Sequence, residues 1–236
     1  MKLVILAGGK GTRLSEYTKR IPKPMVPIKK KPIITHIINH YYKFGVREVI
    51  IASGYKHGII KTYFKKNIIH KDLKIKVVNT GLNTLTGLRI KKLKFLFSKK
   101  ENFFLTYGDG VSDIDLKKLL SFHLKHKKIA TLTAVHPPAR FGELKIRNSK
   151  IIEFNEKPQL TDGWINGGFF VFNYKIFKFL NKKNEMLERE PMQKLLKKNS
   201  VNAFKHNGFW MCMDTLRDKI LLEKIIPSKL KKNKKL

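Results

Sequence analysis

Residues 2–7, Lys-Leu-Val-Ile-Leu-Ala, run without a break into Gly8-Gly-Lys-Gly-Thr-Arg13-Leu14. A short apolar run closed by glycines reads as a buried strand that hands the chain to a loop. Such a loop has few side chains to fill its own space, so its backbone N–H groups are free to face an anion. Arg13, and Lys23 in Pro22-Lys23-Pro24-Met25, add fixed positive charge at the same mouth. This is the chemistry needed to hold a nucleoside triphosphate by its phosphates. Two better-known phosphate loops are excluded. No Gly-x4-Gly-Lys-Ser/Thr run begins here, and in Gly9-Lys10-Gly11 the third glycine of a dinucleotide fingerprint would fall on Leu14. A plain tight turn accounts for a glycine pair, but not for glycines together with Thr12, Arg13 and Lys23.

Strand-like and helix-like segments then alternate. Ile33, Ile34, Ile37, Ile38, Tyr41 and Phe44 have helical spacing, and Gly45 ends that helix. Residues 48–52, 73–78, 102–107 and 129–135 read as strands, with helices expected over 58–66, 87–97 and 113–126. This βαβα rhythm argues for a mostly parallel sheet with helices on both faces. After Pro137-Pro138 the texture changes. Residues 144–146 and 150–154 flank Asn148-Ser149 as a hairpin, 168–172 and 201–204 read as strands, and 174–180, 192–198 and 215–225 as helices. One domain over 1–226 is expected, with a nucleotide half to about residue 135 and a sugar-phosphate half beyond it. The lysine-rich end, 227–236, reads as a disordered tail.

Composition narrows the function classes. No apolar run approaches a membrane span, and no secretory leader pattern follows Met1. Cys212 is the only cysteine, which excludes an intrachain disulfide and fits a cytoplasmic protein. The net charge of +34 raises the question of nucleic acid. The lysines, however, are spread in pairs along the chain with no aromatic-basic module, so no specific nucleic-acid partner is expected.

Phe104-Leu-Thr-Tyr-Gly108-Asp109-Gly110 carries the next chemistry. Ligands of open α/β sheets sit beyond the carboxyl ends of the strands, which would aim Asp109 into the cleft. Alone, the segment reads equally as a turn. Beside the glycine loop it reads as a Mg2+ ligand, since that ion takes one or two carboxylates plus phosphate oxygens. Asp214 is the candidate second carboxylate, although an Asp just before a helix also reads as its N-cap. Asp218 reads as a first-turn charge. Lys157, in Glu156-Lys157-Pro158, is held extended by the proline and could reach a phosphate. Asn166, ahead of Gly167-Gly168, could read sugar hydroxyls, and the same glycines could form a β-bulge. No zinc set and no Ser/His/Asp nucleophile is legible.

These segments resemble the sugar-phosphate nucleotidylyltransferases. The matching pieces are LAGGKGTRLSE from Leu6, PKPM from Pro22, NTGLNTLTGLRIKKL from Asn79 and LTYGDGVSDID from Leu105. They continue with HPPARFGEL from His136, EKP from Glu156, DGWINGGFFVF from Asp162, EREPM from Glu188 and FWMCMDTLRDK from Phe209. The later segments resemble the branch that condenses CTP with glucose 1-phosphate to give CDP-glucose, a precursor of deoxysugars and surface polysaccharide. The resemblance implies the nucleotide-diphospho-sugar transferase (Rossmann-like) α/β fold, Mg2+ as cofactor, and a homo-oligomer without membrane contact. It implies that Leu6, Ala7, Gly8, Gly9, Lys10, Gly11, Thr12, Arg13, Lys23, Thr84, Arg89 and Gly108 line the nucleotide. Arg13, Lys23 and Asp109 would be catalytic, Asp109 and Asp214 would hold Mg2+, and Glu156, Lys157, Asn166 and Gly167 would bind the sugar phosphate. The chain departs from the family pattern at Asn79 and Leu88, at Met211-Cys212, and in a short connection ahead of Asn79.

Overall fold

The computed structural model describes residues 1–137, 142–155 and 163–229. Strand β1 (Lys2–Ala7) leads through the glycine loop to a short helix α1 (Ser15–Thr18) and a small ribbon, β2 (Pro27–Ile28) with β3 (Lys31–Pro32). Helix α2 (Ile33–Lys43), strand β4 (Glu48–Ser53), helix α3 (His57–Lys66), strand β5 (Lys74–Asn79) and helix α4 (Thr86–Lys91) follow. Next come β6 (Asn102–Tyr107), β7 (Gly110–Ser112), α5 (Leu116–His126) and β8 (Ala130–Val135). The later half holds the hairpin β9 (Glu143–Arg147) and β10 (Lys150–Asn155), then β11 (Ile165–Asn173), α6 (Glu190–Lys197), β12 (Val201–His206), β13 (Trp210–Cys212) and α7 (Leu216–Lys229).

Among the described residues, seven strands form the central sheet in the order β12-β8-β11-β6-β1-β4-β5. Only β11 runs antiparallel to its neighbours, β6 and β8. Strand β1 is apolar throughout because both its faces are covered. Leu3 and Ile5 pack with α2, α5 and α7 through Ile37, Tyr41, Leu119 and Leu222. Val4 and Leu6 point the other way, into a layer with Ile90, Leu93, Phe177 and Leu195. The mixed, mostly parallel sheet with helices on both faces is the expected architecture. No described helix is long and apolar enough to cross a membrane.

Three local expectations are corrected. The helix expected over 87–97 is α4 followed by a separate 3-10 turn, Lys94–Leu96, because Ile90, Leu93 and Phe97 can be buried at that spacing by either path. The helix expected over 174–180 is a 3-10 helix, Tyr174–Lys178. Helix α7 continues to Lys229, so residues 227–229 are helical rather than part of a tail, and 230–236 lie outside the described residues. The pairing of β7 with β13 has no counterpart in the sequence reading, since each is only three residues long. The Asn148-Ser149 turn is as expected, both residues having the positive φ of a tight hairpin turn.

Two buried histidines make the fold acid-sensitive. Burial holds the imidazoles of His40 and His123 down, to about 4 in each case. His40 Nε2 has no hydrogen-bond partner, and His123 Nδ1 meets Thr131 Oγ1 at 2.9 Å. Below about pH 6.5 the unfolded chain takes up protons that the folded chain refuses, so stability falls as pH falls through that window. One unit below, each histidine costs about 1.4 kcal/mol. The urea midpoint is expected to drop clearly between about pH 7.5 and about pH 5.5; equal midpoints would contradict the assignment.

Candidate active site

The sheet order fixes where a site can form. From β1 the chain builds outward through β4 to β5, then returns to pair β6 on the other side of β1. The carboxyl ends of β1 and β6 are therefore a topological switch point, where a crevice opens. The glycine loop leaves β1 there, and Gly108-Asp109 leave β6. Strand β11 runs the opposite way, so its start, with Asn166, reaches the same edge. Strand β13, held on β7, delivers Asp214. These segments enclose a cavity of about 480 Å³.

At one end of the cavity Lys23 Nζ lies 2.7 Å from Asp109 Oδ2 and 2.6 Å from Asp214 Oδ1. Arg13 Nη1 lies 2.9 Å from Asp214 Oδ2. Lys23 can reach this point because Pro22 and Pro24 frame a single 3-10 turn that buries it, and because Gly11 passes close by. Gly11 has φ +67°, and a Cβ there would come within 2.9 Å of Lys23 Cβ. Burial alone would lower the pKa of the ammonium, but Asp109 and then Asp214 outweigh it, and the net shift is upward. Burial likewise works to raise the Asp214 pKa, but Lys23 and Arg13 reverse that and hold it below the usual carboxylate range. Cys212 Sγ donates to Asp214 Oδ2 at 3.6 Å; burial, and then Asp214, push its thiol up to about 12.

The N-cap reading of Asp214 is overturned. Asp218 Oδ2 accepts from the N–H groups of Asp214 and Thr215 at 3.0 and 2.8 Å, and from Thr215 Oγ1 at 2.9 Å. Thr215 and Asp218 thus form a capping box at the start of α7, Thr215 Oγ1 accepting from Asp218 N–H at 3.3 Å while Asp218, the expected first-turn charge, reaches back to Thr215 N–H, which leaves the Asp214 carboxylate to the cation cluster.

Arg89 forms the opposite wall. It is 3% exposed, and its guanidinium donates to Ser53 O at 2.8 Å, Thr84 O at 2.6 Å and Thr80 Oγ1. All three acceptors are neutral. Burial lowers its pKa to about 10, so it stays charged at neutral pH. A buried cation bonded only to neutral oxygens leaves a net positive field at the cavity, suited to a polyanion. It also explains Gly8, since a Cβ there would lie 2.0 Å from Arg89 Cζ. Only glycine lets the loop cross the guanidinium.

Leu6, Ala7, Gly8, Gly9 and Gly11 line the cavity with Arg13 and Lys23, as do Thr84, Arg89, Gly108, Asp109, Asn166 and Asp214. Lys10 and Thr12 are exposed and are not part of the lining. Gly167 is buried behind the wall: its carbonyl accepts from Trp210 Nε1 at 2.6 Å, and a Cβ would strike Val135. The bulge reading therefore fits Gly167 and Gly168, where the β11 register shifts. Glu156 and Lys157 lie outside the described residues. The lining also holds Pro24, Leu85, Thr86, Tyr107, Met186, Trp210 and Cys212, to which the sequence assigned no role in the site. Tyr107 was within reach, being adjacent to Gly108-Asp109; Met186 sits in an irregular segment with no motif.

The donor set suits a hard divalent cation. Asp109 and Asp214 converge on one positive charge, with only carboxylate oxygens around it. Among the described residues no group of three or more metal-ligating side chains exists. Two carboxylates open to a cavity of net positive field are what Mg2+ takes when phosphate oxygens and water complete its shell.

Comparison with known proteins agrees with this geometry. Residues 2–218 match the family profile described as nucleotidyl transferase. The chain is 43% identical to a glucose-1-phosphate cytidylyltransferase of Salmonella typhimurium, over 94% of this chain and 95% of the relative. It is 40% identical to a probable glucose-1-phosphate cytidylyltransferase of Bacillus subtilis, over 95% and 96%. Among solved structures, HddC from Yersinia pseudotuberculosis complexed with GMP-PN superposes with a TM-score of 0.76 at 25% identity, covering 95% of this chain and 99% of that one. With a glycine loop, a paired-carboxylate cluster and a profile match over nearly its whole length, the chain belongs to the nucleotidyl transferase family.

Proposed function

We propose that this chain condenses CTP with α-D-glucose 1-phosphate, giving CDP-glucose and pyrophosphate. The observation that carries the reading is the Lys23 ammonium held between Asp109 and Asp214 beside the glycine loop. The choice of CTP and glucose 1-phosphate rests on the relatives at 43% and 40% identity. A phosphate oxygen of glucose 1-phosphate attacks the α-phosphorus of CTP in line, the bond to the β-phosphate oxygen breaks, and pyrophosphate leaves with the electron pair. No protein nucleophile is needed, so the chain's work is positioning and charge neutralisation.

The glycine-loop N–H groups, Arg13 and the Arg89 field hold the triphosphate. Lys23 steadies oxygens at the reacting phosphorus, and Asn166 faces the sugar. Lys157 is assigned to the sugar phosphate on the resemblance of its motif alone. Asp109 and Asp214 are the residues that would hold Mg2+, which when bound supplies charge neutralisation at the phosphates. The division into a nucleotide half and a sugar half follows the same reading. So does self-assembly, supported by the exposed apolar face of the β9–β10 hairpin, where Leu144 opposes Phe154 and Ile146 opposes Ile151.

The test is pyrophosphate release from glucose 1-phosphate and Mg2+ with CTP, UTP, dTTP, ATP or GTP offered separately. Release with CTP is expected. Release only with another nucleotide would keep the mechanism and overturn the base assignment. Silence with all five, and with other sugar 1-phosphates, would overturn catalysis.

A further inference from the structure

A chain of hydrogen bonds runs from Tyr107, beside Asn166, through Glu188 to Thr86 at the start of α4, the helix that bears Arg89, and apart from Asn166 the chemistry above uses none of its members. Gly168 N–H donates to Asn166 Oδ1 at 2.9 Å, which fixes the amide with its nitrogen turned the other way, toward the Tyr107 hydroxyl. The Tyr107 hydroxyl donates to Glu188 Oε1. The second oxygen, Oε2, accepts from Thr86 Oγ1 at 2.7 Å, and Thr86 Oγ1 accepts from Leu187 N–H at 2.8 Å. The segment bearing Glu188 is itself pinned to the start of α4. Leu85 N–H donates to Asn184 Oδ1 at 2.8 Å, and Gly87 N–H to Glu185 O at 3.0 Å.

The direction of every bond in this chain is determined. An ionised carboxylate only accepts, so Tyr107 and Thr86 must both point their protons at Glu188. The Tyr107 oxygen is then left as an acceptor facing the cavity, and Asn166, whose Oδ1 is taken by Gly168 N–H, keeps its amide N–H groups as donors beside it. Tyr107 and Asn166 line the cavity, whereas Glu188 does not. In the sheet, Asn166 stands on the β11 side of β6, while Arg89 bonds the ends of β4 and β5 on the far side of β1. The Tyr107–Asn166 pair is thus at the end away from the Arg89 wall.

We propose that Glu188 is a positioning residue for sugar recognition: through Tyr107 it fixes which hydrogen-bonding groups the cavity offers to the hydroxyls of the incoming sugar phosphate. A fixed pattern rewards a sugar whose hydroxyls match it and leaves groups that the bound sugar covers unpaired with one that lacks them, which is how polar sites discriminate. This inference rests on the proposed condensation of a nucleotide with a sugar 1-phosphate.

The experiment compares Glu188→Ala, Glu188→Gln, Tyr107→Phe and the Glu188→Ala/Tyr107→Phe double variant. The substrate is whichever sugar 1-phosphate the wild type turns over. Glu188→Ala and Tyr107→Phe are each expected to raise KM for the sugar phosphate about tenfold, with KM for the nucleotide within about twofold. The double variant should be no worse than the poorer single, because both break one chain. Glu188→Gln keeps an acceptor for Tyr107 and should recover part of the loss. Preference for the parent sugar phosphate over its deoxy analogues should shrink in the same order. Unchanged sugar KM and unchanged preference in Tyr107→Phe would overturn the proposal. So would nucleotide and sugar KM rising together in Glu188→Ala, the signature of a merely structural brace. A wild type that turns over no sugar phosphate would instead overturn the functional reading, and this inference with it.

Discussion

Lys23→Met is expected to lower kcat/KM by about 10³ while leaving the circular dichroism spectrum unchanged, since one preorganised contact to developing charge is worth 10²–10³ and this side chain does more than that. Its ammonium also holds together two carboxylates that would otherwise repel. Side-chain exposure is 26% for Asp109 and 14% for Asp214, so water screens that repulsion only in part. Without the ammonium, Asp214 keeps Arg13, whose side chain is 68% exposed, and Asp109 keeps no cation among the described residues. Lys23→Arg is expected to rescue little. A compact ammonium fits a fork with arms of 2.7 and 2.6 Å, whereas a planar guanidinium needs more room and a different approach. Steady-state rates with CTP and glucose 1-phosphate each varied through KM decide the matter. Lys23→Met within about tenfold of wild type would show that the lysine only braces the apo site.

The sequence made the central sheet and one wall of the cavity readable for a physical reason. Buried parallel strands demand continuous apolar runs, as in β1, and a loop that must bare its backbone demands glycines. Both demands leave local marks. Lys23 was legible because prolines on either side fix its turn, and Asp109 because it follows a strand. Residues recruited across the fold left weaker marks. Asp214 and Asp218 are both acidic residues around one helix start, and only the coordinates tell the one in the capping box from the one in the cation cluster. Arg89 was linked to the nucleotide by resemblance, but its lack of a carboxylate partner is a property of the packed structure. Glu188 opens the EREPM segment that carries part of the resemblance, yet its role depends on distant contacts to Thr86 and Tyr107, and Met186 reaches the cavity from an irregular segment with no periodicity of its own. Gly167 shows the converse: its motif is conspicuous, yet the glycine serves a register shift and the polar neighbour faces the cavity.

Asp109→Asn should separate the charge of the site from its shape. The amide is nearly isosteric and can still accept from Lys23, so the cluster keeps its geometry and loses one negative charge. Hard divalent cations bind poorly to a neutral amide in place of a carboxylate when only two side chains are on offer. The expected result is a fall of about 10²–10³ in kcat at fixed Mg2+. The Mg2+ concentration for half-maximal rate should rise at least about tenfold, following loss of a charged contact. Asp214→Asn should cost as much in rate but behave differently toward substrate. It strips Arg13 of its ion-pair partner, leaving that guanidinium free for the triphosphate, so the KM for CTP should fall or hold while kcat collapses. The two variants therefore diverge in a single titration of Mg2+ against CTP. If Asp109→Asn keeps wild-type turnover when Mg2+ is limiting, the paired carboxylates serve only to seat Lys23, and the metal must be held by the nucleotide's own phosphates.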